Sequence, residues 1–117
     1  MTTDPDCIFC KIVAGEIPSD VIHEDKVVTA FRDINPVAPT HILIVPKKHI
    51  PDNNAFTDED EPIAGHMFTI VRDLARQEGI AETGYRLIMN TGEHGHQEVM
   101  HMHLHLIGGQ SMQHPMG

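Results

Sequence analysis

Hydrophobic spacing divides the chain into one helical stretch and several short extended ones. Between Thr57 and Gly79, the residues Ile63, Met67, Ile70, Val71 and Leu74 recur at the helical period. This predicts one amphipathic helix of about 20 residues, with Thr57 as N-cap, Pro62 in the first turn and Gly79 as the stop. The acidic run 58–61 reads as its solvated start, and Arg72 and Arg76 near its end suit the helix dipole. A shorter helical turn is expected over residues 7–14, ended by Gly15. The remaining apolar runs, at 21–24, 27–31, 41–45, 85–90 and 99–107, are short, rich in β-branched residues and separated by Pro or Gly, so they read as strands. Only the third and fourth strands have a helix between them. The expectation is an α+β domain spanning residues 1–117, with a five-stranded, mainly antiparallel sheet, one main helix and a short N-terminal helix. A sheet this small leaves a face or an edge to cover, which suggests a homodimer.

Composition narrows the function. Seventeen Asp and Glu against eight Lys and Arg give a net charge of −9, a field that disfavours long nucleic acids as partners. A preorganised site for one small anion remains compatible with it. No apolar run approaches the roughly 20 residues of a membrane span, and the first residues lack the pattern of a signal peptide. The expected partner is therefore a small molecule, with no membrane, and the expected location is cytoplasmic. Ten histidines outnumber the Lys and Arg together, and five of them fall between His94 and His105.

Those five lie in a glycine-containing loop that runs into an alternating segment. Strand alternation sends His101, His103 and His105 to one face, about 6.6 Å apart, and Met102, Leu104 and Leu106 to the other. Two chemistries use such a row. Neutral imidazoles can ligate a divalent metal, as in a metal-dependent hydrolase. Alternatively, one ring attacks phosphorus while its neighbours orient it and bind phosphoryl oxygens. The preceding loop favours phosphorus chemistry, because Gly92 and Gly95 permit positive φ and successive N–H groups there can cradle an anion.

The segment His101-Met-His-Leu-His-Leu-Ile107 resembles the histidine triad signature, in which three histidines alternate with apolar residues. Five other stretches are similar, in order and spacing, to the Hint branch of that superfamily: Cys7-Ile-Phe-Cys-Lys-Ile12, Glu16-Ile-Pro18, Phe31-Arg-Asp-Ile34, the run 38–50 and Gly84-Tyr-Arg-Leu-Ile-Met-Asn90. The resemblance implies a homodimeric purine nucleoside phosphoramidase. It implies His103 as the nucleophile, His105 as a phosphoryl contact, His101 as a carbonyl that holds the nucleophile's ring, and His41 as support from a neighbouring strand. By the same resemblance Asp33 would bind the ribose, and Ile8, Phe9, Ile12, Phe31 and Ile34 would wall the base. Asn90, Gly95, Gln97 and Glu98 would lie near the phosphate and leaving group. The other reading in a different class is a dimeric nucleotide-binding module whose hydrolysis is incidental.

The sequence departs from the family pattern in three places. His96 stands where the pattern commonly has glycine, Met100 replaces an aromatic residue, and the tail 113–117 lacks a tryptophan. No cofactor is expected for catalysis. Cys7-x-x-Cys10 has the spacing of half a tetrahedral zinc site, and some relatives complete such a structural site with positions matching His49 and His101. Zinc, buried free thiols and a redox pair all remain open on the sequence.

Overall fold

In the computed structural model, which describes residues 3–115, the strands form one antiparallel sheet in the order β1-β2-β3-β5-β4. They are β1 (Val21–Glu24), β2 (Val28–Arg32), β3 (Thr40–Pro46), β4 (Tyr85–Ile88) and β5 (Leu104–Gly108). Two helices accompany them, α1 (Ile8–Val13) and α2 (Glu61–Gln77). The α+β architecture expected from the hydrophobic pattern is the one observed. Residues 1–2 and 116–117, the outer ends of the two terminal stretches read above, lie outside the described residues.

Register explains how the two faces separate. Ala30 pairs with Ile44 and Ile42 with Leu106, and these side chains join Val28 and Leu104 against α2. The helix contributes Met67, Ile70, Val71, Leu74 and Ala75, all buried, at the spacing read from the sequence. Each fully buried aliphatic side chain here stabilises the fold by about 1.5–3 kcal/mol. On the opposite face Phe31 pairs with Leu43 and Leu43 with His105. That face is covered in part by α1, through Cys7, Phe9 and Cys10, and is otherwise open.

Three boundaries differ from expectation by two residues or more. The main helix begins at Glu61, because residues 58–60 form a 3-10 turn in which the Asp60 carboxylate accepts from the Thr57 N–H at 3.0 Å and from its hydroxyl at 3.2 Å. Lys48 Nζ, at 2.6 Å, neutralises that buried carboxylate. The fourth strand stops at Ile88, two residues short of the run read as strand. The last strand begins at Leu104 and not at residue 99, because the backbone ahead of it bonds elsewhere: His101 N–H to Val99 O at 2.9 Å and Met102 N–H to Ile50 O at 2.7 Å. His101 and His103 therefore sit on the approach to β5, and only His105 lies within it.

Candidate active site

Alternation survives this change of boundary. Met102, Leu104 and Leu106 are buried on the side away from the histidines, and His103 and His105 stack edge-on with ring centroids 4.9 Å apart. The His103 Nδ1–H donates to the carbonyl of His101 at 2.7 Å. That bond fixes the tautomer, so Nε2 of a neutral His103 carries a lone pair. Phe9 from α1 lies edge-on to the His103 ring with centroids 5.0 Å apart and an interplanar angle of 88°, which locks the ring from its other side.

A second chain of bonds orients His105. The Val37 N–H donates to His41 Nδ1 at 3.2 Å, so the proton of a neutral His41 is on Nε2. His41 Nε2 then donates to His105 Nδ1 at 2.9 Å, leaving His105 with its proton on Nε2. The result is two adjacent imidazoles with opposite roles, one with an exposed lone pair and the other with an N–H donor. Asp33 Oδ2 is 3.5 Å from His41 Nε2, close enough for Asp33, His41 and His105 to surround a cation. A metal on His41 Nε2 would force a proton onto Nδ1, facing the Val37 N–H. The donor set therefore favours a hydrogen-bonded chain over a metal centre there.

Burial keeps these rings neutral. It lowers the pKa values of His41 and His103, with the Asp33 carboxylate opposing in both cases. His105 is held at about 4, chiefly by burial and then by the neighbouring His103 and His41. A neutral ring can attack as a nucleophile without first losing a proton.

A cavity of about 680 Å³ opens beside the pair. Of the expected base-contacting residues, Ile8, Phe9, Ile12, Phe31 and Ile34 all line it, and Ile34 is 87% exposed, an apolar side chain with no protein partner to cover it. Asp33, Asn90 and Glu98 line it as well. Asp33 also serves its turn, where Oδ1 accepts from the Asn35 N–H at 2.8 Å. Among the described residues, the only Lys or Arg lining the cavity is Arg32, and its guanidinium is spent on Glu78 through two bonds of 2.7 and 3.0 Å.

Gly95 and Gln97 do not line the cavity; they shape the loop beside it. Gln97 is buried, its Oε1 accepts from the Gly92 N–H at 3.0 Å, and its Nε2 donates to the carbonyls of Pro51 and Val99 at 2.8 and 3.0 Å. Gly95 does not use the positive φ that glycine permits. It is required for close approach, since a Cβ there would lie 2.4 Å from Thr91 O. The left-handed residues of the loop are Gly92, at φ 73°, and His96, at φ 60°.

The His101 side chain points away from the cavity into a separate cluster. His101 Nε2 donates to Pro46 O at 2.7 Å, which turns the Nδ1 lone pair toward Cys7 Sγ at 3.4 Å and Cys10 Sγ at 3.6 Å. His49 Nδ1 is 3.4 Å from Cys10 Sγ and 3.1 Å from His101 Nδ1. A tetrahedral zinc with ordinary bond lengths requires about 3.6 Å between sulfur and nitrogen and about 3.4 Å between nitrogens. The four residues fit that ion in spacing and donor type, and His101 also in tautomer.

Two polar features have no sequence signature. The Val37 contribution is a backbone N–H, invisible in residue identity. Asp25 receives both His23 and His66 at 2.7 Å on one oxygen, and gathers histidines from β1 and α2 that periodicity left unassigned. Although burial opposes it, these bonds and the N–H groups of Val28 and Val27 hold the Asp25 carboxyl well below the usual carboxylate range.

Comparison with known proteins identifies the family. The HIT domain family model covers residues 14–112. The chain is 57% identical over 105 residues to a protein of Escherichia coli K12 named purine nucleoside phosphoramidase, covering 90% of this chain and 88% of that one. Among solved structures, a HIT family hydrolase from Legionella pneumophila superposes with a TM-score of 0.93 at 51% identity, over 96% of this chain and 100% of that one. A histidine triad protein from Clostridium difficile gives 0.94 at 44% identity, over 97% and 98% of the two chains. With its histidine segment folded as described and a family model spanning most of its length, this chain belongs to the HIT domain family.

Proposed function

We propose that this HIT-type hydrolase cleaves the P–N bond of adenosine and related purine nucleoside 5′-phosphoramidates through a nucleotidyl-histidine intermediate. The observation that carries this reading is the pair of fixed tautomers, with His103 presenting a lone pair and His105 an N–H. The name of the Escherichia coli relative supports the substrate class.

In the first step His103 Nε2 forms a bond to phosphorus and the P–N bond breaks, its electron pair staying on nitrogen. The departing amine takes a proton from solvent. Attack leaves His103 cationic, and the bond from Nδ1–H to His101 O stabilises that charge. His105 Nε2–H donates to the phosphoryl oxygens, a donor already in place before charge develops. In the second step water attacks phosphorus, Nε2 departs as neutral imidazole, the water proton goes to solvent and nucleoside monophosphate is released. The purine rests against Ile8, Phe9, Ile12, Phe31 and Ile34, the ribose hydroxyls donate to Asp33, and Asn90 and Glu98 edge the reacting end.

Cys7, Cys10, His49 and His101 would hold a structural zinc, which supplies cross-linking between α1 and the histidine segment and no chemistry in the reaction. The sheet edge at β4 would pair two copies into a homodimer. The test of the reaction is His103→Ala, assayed on adenosine 5′-phosphoramidate with chelator present, alongside acid-quench trapping of labelled nucleotide on the wild-type chain. Loss of turnover and of label in the variant is expected. Turnover at the wild-type rate in His103→Ala would exclude the mechanism.

A further inference from the structure

We propose that His96 determines leaving-group specificity, its imidazole hydrogen-bonding a carboxylate carried by the departing amine, so that phosphoramidates of amino acids are preferred over those of simple amines. The inference rests on the phosphoramidase reading above.

His96 is the one non-glycine among the described residues with positive φ, at 60°. Its neighbours impose this. Gln97 straps the loop through Gly92, Pro51 and Val99, Gly95 packs where no Cβ fits, and the His96 N–H is tied to Glu93 O at 3.0 Å. An exposed side chain on a left-handed backbone is held in place by its surroundings, and such positions concentrate at binding sites. His96 lines the same cavity as His103, His105, Asn90 and Glu98.

Charge accounting indicates what it binds. The cavity holds two carboxylates, Asp33 and Glu98, and its one guanidinium is committed to Glu78. His103 is spent on attack, and His41 is bonded between Val37 and His105. The His96 side chain has no hydrogen-bond partner among the described residues. It is therefore the uncommitted imidazole lining the cavity, able to donate to a leaving-group carboxylate that Glu98 alone would repel. Beside it, Glu98 suits a cationic group on the same leaving group.

The test compares two adenosine 5′-phosphoramidates that differ by one carboxylate, those of alanine and of ethylamine, in wild type, His96→Gly and His96→Asn. Glycine accepts the backbone conformation and removes the donor, whereas asparagine tolerates it and keeps an N–H. The alanine-to-ethylamine ratio of kcat/KM should fall about tenfold in His96→Gly, the size expected for one charge-assisted hydrogen bond. It should stay higher in His96→Asn, with thermal melts confirming that both variants fold. An unchanged ratio in His96→Gly, or a ratio in His96→Asn no higher than in His96→Gly, overturns the inference and leaves the phosphoramidase reading standing. Failure of the wild type to hydrolyse either compound overturns both.

Discussion

The two faces of the sheet are built from the same strands and do opposite things. Toward α2, β5 sends Leu104 and Leu106 into a buried apolar cluster with Ile42 and Ile44, where the gain is stability. Toward the cavity, the alternate positions His103 and His105 are also largely shielded from water, yet each polar atom is assigned a partner or left deliberately free. Burial on the first face lowers the energy of the fold. On the second it strips protons from imidazoles and prepares them to react.

If this division holds, substitutions on the two faces will damage different properties. His103→Ala should reduce kcat/KM by about a thousandfold or more, as expected for removal of a nucleophile, while circular dichroism shows the chain still folded. Leu106→Ala should do the reverse. It should cost about 2–5 kcal/mol of unfolding free energy in urea titrations, with turnover per folded molecule close to wild type. Large losses of both properties from either substitution would mean that the two faces are not separable.

The Cys-His cluster offers a finer test, because it lies on the cavity face yet is proposed to act structurally. Metal analysis of purified protein should find about one zinc per chain, and Cys7→Ser should lower both the zinc content and the melting temperature. Metal content unaffected by that substitution would remove zinc from the account.

The smallest effect is that of pH. His105 titrates at about 4 in the folded chain against an ordinary 6.5, because of burial and the proximity of His103 and His41, with Asp33 opposing. The unfolded chain therefore binds the extra proton first. The contribution of His105 to stability is complete above about pH 6.5 and is lost as pH falls toward 4. Melting temperatures should decline across that window in wild type and less steeply in His105→Asn.

Much of this was legible in the residues themselves. Periodicity located α2 and the strands, since each buries one face, and alternation placed His103 opposite Leu104. The apolar cavity wall around Phe9 and Phe31 was read from motif order and stands together in space. What escaped was backbone work. The strand start at Leu104 depends on Met102 N–H reaching Ile50 O, the tautomer of His41 on a Val37 N–H, and the left-handed turn on a strap from Gln97. Gly95 leaves the positive φ of this loop to Gly92 and His96, because glycine is needed at position 95 for space against Thr91. Side-chain identity reports such constraints only indirectly.

The bond from His103 to His101 O spans a single intervening residue. The hydrogen-bonded part of the grip on the His103 ring is therefore written in a tripeptide, whereas the surfaces proposed to meet the substrate come from α1, the turn after β2 and the loop before β5. Drift in those surfaces that spares Phe9 would alter which molecules are admitted without loosening the ring, so a lineage could exchange its clientele while inheriting the same chemistry.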